Sequence, residues 1–315
     1  DLLSMKTIIT EEMRTRQRAI EYAKKYNNNS KAAIKYHTTR QQIKRWRDKY
    51  DGTIASLFNK SRRPKSHPNQ HTVEELELIK QKHSKFKTDG LAQVYVEARK
   101  CGYTRSYDSM CKKIRLMSLK TPIRKKDYPK SNWKPDVTSY PGEKVQIDIK
   151  YVPNESVLFG LNDQKYYQIT AIDEFTRERV VEIVDEKSVT HTTRFLGTLE
   201  KEMGFSIKTI QTDNGREFVN EPGGRKSSFE IKLEELGIEY RRTRPYSPWQ
   251  NGKVERSHRL DSEFYARKKF LSYEKMIKSV KKNCSRYNNT ARKVLGFKTP
   301  NQLVLEYKEK VEFKN

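Results

Sequence analysis

Apolar residues recur at helical spacing through the first 118 positions and switch to alternation after Gly142. The helical part divides into short pieces. Arg14–Tyr26 is closed by the turn-forming Asn27-Asn28-Asn29, and Ser30 can cap a second helix, Lys31–Tyr36. Thr39 can cap a third, Arg40–Tyr50, in which Ile43, Trp46 and Tyr50 face inward. A second trio follows. Val73–Phe86 is periodic through Leu76, Ile79 and His83. Leu91–Lys100 lies between Asp89-Gly90 and Gly102. Ser106 can cap Tyr107–Met117, with Met110, Ile114 and Met117 on one face. Between the trios, residues 59–71 hold two prolines and no apolar side chain, which predicts a linker. Residues 119–140 read as a second basic, proline-containing linker.

In the alternating part, Lys144–Tyr151 puts Val145, Ile147 and Ile149 on one side and Gln146, Asp148 and Lys150 on the other. Lys165–Asp173 and Glu178–Val184 extend this into an antiparallel meander. Val189–Met203 predicts a helix, Ser206–Thr212 a fourth strand, Phe229–Leu236 a short helix and Ile238–Thr243 a fifth strand. A Pro- and Gly-containing loop over 245–252 leads to a long helix from Lys253 to Phe270, and Tyr273–Asn288 predicts a basic helix before a tail. Three strands, helix, strand, helix, strand, helix is an α/β order.

Charge changes this picture. The chain has 315 residues and net charge +26, which points to a polyanion, most simply nucleic acid. The charge is not uniform. Residues 1–140 carry +19, residues 141–240 carry −6, and residues 241–315 carry +13. Two basic arms therefore flank an acidic block. No apolar run is long enough for a membrane span, and the first residues lack a secretory apolar stretch. Cys101, Cys111 and Cys284 form no CxxC pair, which fits a reducing cytosol.

In both trios a short second helix, a turn and a third helix with basic residues outward resemble a helix-turn-helix, whose last helix lies in the major groove. The outward residues are Arg40, Gln41, Lys44, Arg45 and Arg47 in the first trio, and Lys112, Lys113 and Arg115 in the second. Arg62, Arg63 and Lys65 in one linker and Arg124, Lys125 and Lys126 in the other are further candidate DNA contacts, the first group suited to a minor groove.

Three carboxylates stand at special places. Asp148 is in the first strand, Asp213 ends the fourth, and Glu255 lies in the first turn of the long helix. If the fourth strand lies beside the first, both aspartates reach one sheet edge, and a packed helix can bring Glu255 there. Three acids at one point cannot all stay ionised without a cation. Oxygen ligands suit Mg²⁺, and two such ions can activate an attacking oxygen and stabilise a leaving one at a phosphodiester.

The segments QIDIK (146–150), QTDNGREF (211–218) and SPWQNGKVERSH (247–258) resemble the three catalytic blocks of integrase-type Asp-Asp-Glu transposases of bacterial insertion sequences, and RYNNTARKVLGFKTPNQLV (286–304) is similar to the segment after that core. The resemblance implies a multidomain protein: an all-α tandem helix-turn-helix region, an α/β ribonuclease-H-like core (the retroviral integrase type) and a basic helical C-terminal tail. The expected boundaries are 1–58 and 72–118 for the two DNA-binding domains, 59–71 and 119–140 for linkers, 141–270 for the core and 271–315 for the tail. It also implies that Asp148, Asp213 and Glu255 hold two Mg²⁺ ions (Mn²⁺ can substitute), with Trp249, Asn251, Lys253, Arg256 and Arg259 against DNA. His258 reads as a surface residue. The 41 residues between Asp213 and Glu255 exceed the family's usual spacing, and the surplus fits a loop at 220–228, where insertions cost little. The zinc module of retroviral integrases is absent, so no structural zinc is expected.

The implied reaction is DNA cleavage at transposon-end inverted repeats and joining of the freed 3′-OH to target double-stranded DNA, by a protein that self-associates as at least a dimer. A catalytically silent DNA-binding regulator and a ribonuclease-H-like nuclease are the alternatives.

Overall fold

The computed structural model describes residues 9–59, 64, 67–119, 137–160, 164–220, 224–244 and 247–312. The candidate contacts Arg62, Arg63, Lys65, Arg124, Lys125 and Lys126 lie outside these residues. The chain divides into two compact units, Asp1–Gln70 and His71–Asn315. Among the described residues no helix is long and apolar enough to cross a membrane.

The first unit holds α1 (Glu11–Lys25), α2 (Asn29–Lys35) and α3 (Arg40–Lys49). Its core is built from small residues, Ala19, Ala23, Ala32 and Ala33, around Ile43, with Tyr22, Tyr36 and Trp46 at the margin. Such small side chains let three short helices approach closely. α3 starts at the expected cap, Thr39, whose hydroxyl accepts from Gln42 N. α2 does not start where expected: Asn28, not Ser30, is the cap, accepting from Lys31 N. Asn27 takes φ +44°, a conformation that asparagine tolerates better than most, so the chain turns sooner and the helix gains residues. Arg16 threads the core, donating to Leu57 O at 2.8 Å and Asn59 Oδ1 at 2.7 Å.

The second unit opens with α4 (Val73–Phe86), α5 (Leu91–Lys100) and α6 (Tyr107–Leu116). Ile79, Val94, Ala98, Tyr103, Met110 and Ile114 form their core. Thr72 and Glu75 cap α4 reciprocally. Glu75 also accepts from Arg105 at 2.8 Å, tying the start of α4 to the residues before α6.

Then comes a five-stranded sheet: β1 (Val145–Tyr151), β2 (Tyr167–Asp173), β3 (Arg179–Val184), β4 (Thr209–Thr212) and β5 (Glu239–Arg242), in the order β3-β2-β1-β4-β5. β1–β2 and β2–β3 are antiparallel; β1–β4 and β4–β5 are parallel. The meander and the two parallel crossovers make this the ribonuclease-H-like arrangement. α7 (Val189–Met203) and α8 (Ser228–Glu235) cover one face, where Phe195, Leu199, Phe229 and Leu233 pack on Val145, Ile147 and Ile210. On the other face, α9 (Gly252–Tyr265) and α10 (Tyr273–Asn288) place Tyr265, Met276 and Val280 against Tyr166, Val181 and Ile183. Gly142 lets the chain enter β1. It has φ +82°, and a Cβ there would lie 2.0 Å from Ser206 O.

Two elements depart from expectation. α9 ends at Tyr265 rather than Phe270, because Phe270 pairs with the β1–β2 connection: its N–H donates to Ser156 O and its carbonyl accepts from Leu158 N. The tail forms a further helix, α11 (Pro300–Glu312), and Val304 joins the core beneath α7.

Candidate functional site

The sheet register brings the two aspartates together. β1 and β4 run parallel with Gln146 opposite Gln211. Asp148 and Asp213 each stand two residues further along, so they lie at the same level on neighbouring strands. Asp213 falls one residue past the end of β4, where its Oδ1 accepts from Gly215 N at 3.0 Å. Asp148 accepts from Ile149 N at 2.9 Å through Oδ1, and its Oδ2 meets His258 Nε2 at 3.1 Å.

The two glutamines also position the third acid. Gln146 and Gln211 donate to the same carbonyl, Gln250 O, at 2.9 and 2.8 Å. Gln146 Oε1 accepts from Lys253 N and Val254 N at 3.0 and 3.1 Å, which satisfies two free N–H groups at the start of α9. Asn251 donates to Ile147 O at 3.2 Å. The first turn of α9, with Glu255, is thereby fixed over the strands that carry Asp148 and Asp213. Buried Glu174 completes the support: it accepts from Gln146 at 2.8 Å and pairs with Lys144 and Lys253.

The acids sense one another. Burial first, then the charges of Asp148 and Glu217, push the Asp213 pKa up, while the Gly215 N–H and Lys187 oppose this. Partial burial, followed by Asp148 and then Asp213, raises Glu255, with His258 acting against them. Among the described residues, no three His, Cys, Asp or Glu side chains are preassembled as a metal cage. The donor set itself is all carboxylate oxygen, and the charge of Asp148 raises both Asp213 and Glu255, which fits a hard divalent cation.

His258 is not a surface residue: its side chain is 13% exposed and lies between Asp148 and Asp261, 3.7 Å from the latter. Burial lowers its pKa, but the hydrogen bond with Asp148 and the nearby Asp261 carboxylate outweigh this and raise it. Asp261 is in turn held by Arg179 at 2.8 Å and Gln168 at 2.9 Å.

The other expected contacts divide. Arg40, Gln41, Lys44 and Arg45 are exposed on α3, as are Lys112 and Arg115 on α6 and Arg256 and Arg259 on α9. Trp249 is half exposed. Arg47 is tied back to Asn29 Oδ1 at 2.8 Å, and Lys113 is half-buried. Asn251 is buried and bonded to β1, and Lys253 pairs with Glu174; both help to seat the start of α9 on the sheet. Gln146, Gln211 and Glu174 were missed. For the two glutamines the signal was the repeated Gln-x-Asp, because residues two apart share a strand face.

With this geometry stands the family evidence. Residues 138–248 match an integrase core domain, residues 236–300 match a second model of that name, and residues 15–65 match a helix-turn-helix domain. The chain thus carries two integrase-core matches, preceded by a helix-turn-helix match. It is 30% identical over 169 residues to "Putative integrase ORF3" of Spiroplasma virus SpV1-C74; the match covers 50% of this chain and 46% of the relative, so it spans less than half of that protein. Similar solved structures include a simian T-cell lymphotropic virus intasome in complex with PP2A regulatory subunit B56 gamma (18% identity, 72% of this chain and 74% of that one, TM-score 0.44). The catalytic core of BIV integrase (18%, 54% and 99%, TM-score 0.40) is another. A third is the HTLV-2 integrase core in complex with magnesium (17%, 52% and 97%, TM-score 0.39).

Proposed function

We propose that this chain is a DNA transposase of the Asp-Asp-Glu type: it binds transposon-end repeats, cuts one strand there and joins the freed 3′-OH to target DNA. The observation that carries this reading is the paired glutamine clamp, which ties the start of the Glu255 helix to β1, which carries Asp148, and to β4, which leads into Asp213. Asp148, Asp213 and Glu255 would hold magnesium, which when bound supplies charge neutralisation and activation of the attacking oxygen. The chain's own residues supply position. Gln146, Gln211 and Glu174 hold the acids in register, and Arg256 and Arg259 present cations to DNA phosphates. In-line phosphoryl transfer needs such placement rather than a covalent protein intermediate.

The test is strand transfer of a labelled transposon-end duplex into a second DNA with Mg²⁺. Asp148→Asn and Glu255→Gln should each lower the rate on the order of 10³-fold, as for loss of groups that stabilise transition-state charge. Their DNA affinity in EDTA should stay unchanged. Full activity in either variant would remove these residues from the site. Cleavage without joining would favour a nuclease, and function without metal a DNA-binding regulator. Gln211→Ala should lower turnover by about 10²-fold through misplacement alone, with affinity intact.

A further inference from the structure

Outside the carboxylate site, one other face gathers basic groups around a cavity. Leu260 and Phe264 lie on α9 about 140° and 180° round the helix from Glu255, and Arg267 follows two residues past its end. With Tyr287 and Arg292 they border a cleft of about 210 Å³, lined also by Arg179. Two arginines in it are incompletely satisfied. The Arg179 side chain is 1% exposed; its Nη1 meets Asp261, but its Nε is buried without a partner. Arg292 donates through Nη2 to Tyr287 O at 3.3 Å, and its Nε is also buried without a partner. Among the described residues no carboxylate pairs with Arg292. Both guanidinium groups stand on the Tyr287 ring, at 4.2 and 3.9 Å from its centroid.

The charge balance is positive. Arg267, Lys268 and Arg286 also line the cleft, against Asp89 and Glu263, and Asp89 is already paired with Arg286 at 2.7 Å. Burial first, and then the charges of Arg179, Arg177 and Arg256, pull the Arg292 pKa below its usual value, against Tyr287. Buried guanidinium N–H groups without acceptors beside excess positive charge describe a place for an anion with several oxygens.

We propose that this cleft binds a phosphate group of a DNA backbone, at a site separate from the three carboxylates. The inference rests on the proposed DNA substrate. Nucleic acid fits because the cleft is open along α9, with Arg267 and Lys268 exposed at its rim and Leu260, 41% exposed, offering an apolar edge to a sugar. Phe264 lies roughly 14 Å along the helix axis from Glu255 at 1.5 Å per residue and on the opposite side of α9, so the cleft would hold DNA away from the three carboxylates.

The experiment is arginine-directed chemical modification of the full chain with peptide mass spectrometry, in EDTA so that no strand is cut. A DNA duplex should protect Arg292 and Arg267 several-fold; inorganic phosphate at millimolar concentration should protect them far less. In the Arg267→Ala/Lys268→Ala variant, whose replaced groups are exposed and outside the core, the slope of log affinity against log salt should fall by about 1 to 2. Unchanged modification of Arg292 with DNA bound, or an unchanged slope, overturns the site. Protection by inorganic phosphate equal to that by DNA overturns the backbone as its ligand. If DNA protects Arg40 but not Arg292, this site fails alone. If DNA protects neither, the DNA-binding reading fails with it.

Discussion

The two three-helix regions look alike in sequence and differ in what meets their third helix. In the first, α3 leaves Arg40, Gln41, Lys44 and Arg45 exposed. In the second, the first residue of α6, Tyr107, packs against Phe297, with ring centroids 5.1 Å apart, and Phe297 also meets Tyr95 of α5 at 5.0 Å. Gln93 accepts from Ala291 N at 2.7 Å, and Arg286 pairs with Asp89. The second trio is thus seamed to the segment that follows the five-stranded sheet, while the first belongs to a separate compact unit. The helix-turn-helix match, residues 15–65, lies in the first. Both trios thus have a capped helix with cations on its outward face, and they differ in whether a distant part of the chain, here almost two hundred residues away, packs against that helix.

If the units are distinct, their responses to pH should separate, and this is the largest effect expected. In the second unit, burial and then the charge of Asp173 push Glu178 up to about 7. Its folded pKa lies above its unfolded one, so its contribution to stability is complete below about 4.5 and is lost as pH rises through 7. The loss amounts to roughly 3 kcal/mol at 1.36 kcal/mol per pKa unit. Glu178→Gln should remove it. Denaturant unfolding of both proteins at pH 5 and pH 8 would show a smaller loss in the variant, confined to the second unit's transition. Equal pH dependence in the two proteins would break the assignment. A smaller effect tests the seam. Phe297→Ala should cost about 2 kcal/mol, near half the value for a fully buried aromatic. Calorimetry should show the second unit's transition lowered and the first unmoved.

The seam marks the limit of what the sequence could tell. Local signals read well. Thr39, Ser106 and the β1 alternation placed helices and strands within a few residues, and the motifs around Asp148, Asp213 and Glu255 are distinctive enough to nominate these acids, which the strand-transfer assay tests. Long-range pairings read poorly. Nothing adjacent to Phe270 shows that it will pair with Ser156 and cut α9 short, and nothing near Phe297 announces Tyr95. Asn251 and Lys253 looked like DNA contacts because they are polar and sit beside Glu255; their partners, Ile147 and Glu174, lie on other elements. His258 was misread for the same reason. The glutamine clamp falls between these cases. Each glutamine was visible in the strand pattern, but only the parallel register shows that both reach one carbonyl.

The smallest expected effects bear on the comparison most directly. On the proposed reading, α3 meets DNA with a face that nothing in its own unit covers. Arg40→Ala and Lys44→Ala should each weaken binding to the terminal repeat by about 1 kcal/mol, or more where a base edge is read. Lys112→Ala and Arg115→Ala in α6 should each cost less than about 0.5 kcal/mol, as expected of exposed charges outside a docked surface. Anisotropy titrations at one fixed salt concentration, with repeat and scrambled duplexes, separate the cases. Loss at α3 confined to the repeat identifies base reading; equal loss on both duplexes identifies phosphate contact. Losses at α6 as large as those at α3 would mean that docking through Tyr107 leaves the rest of that helix free for DNA. The seam would then orient a second reader beside the catalytic core rather than silence it.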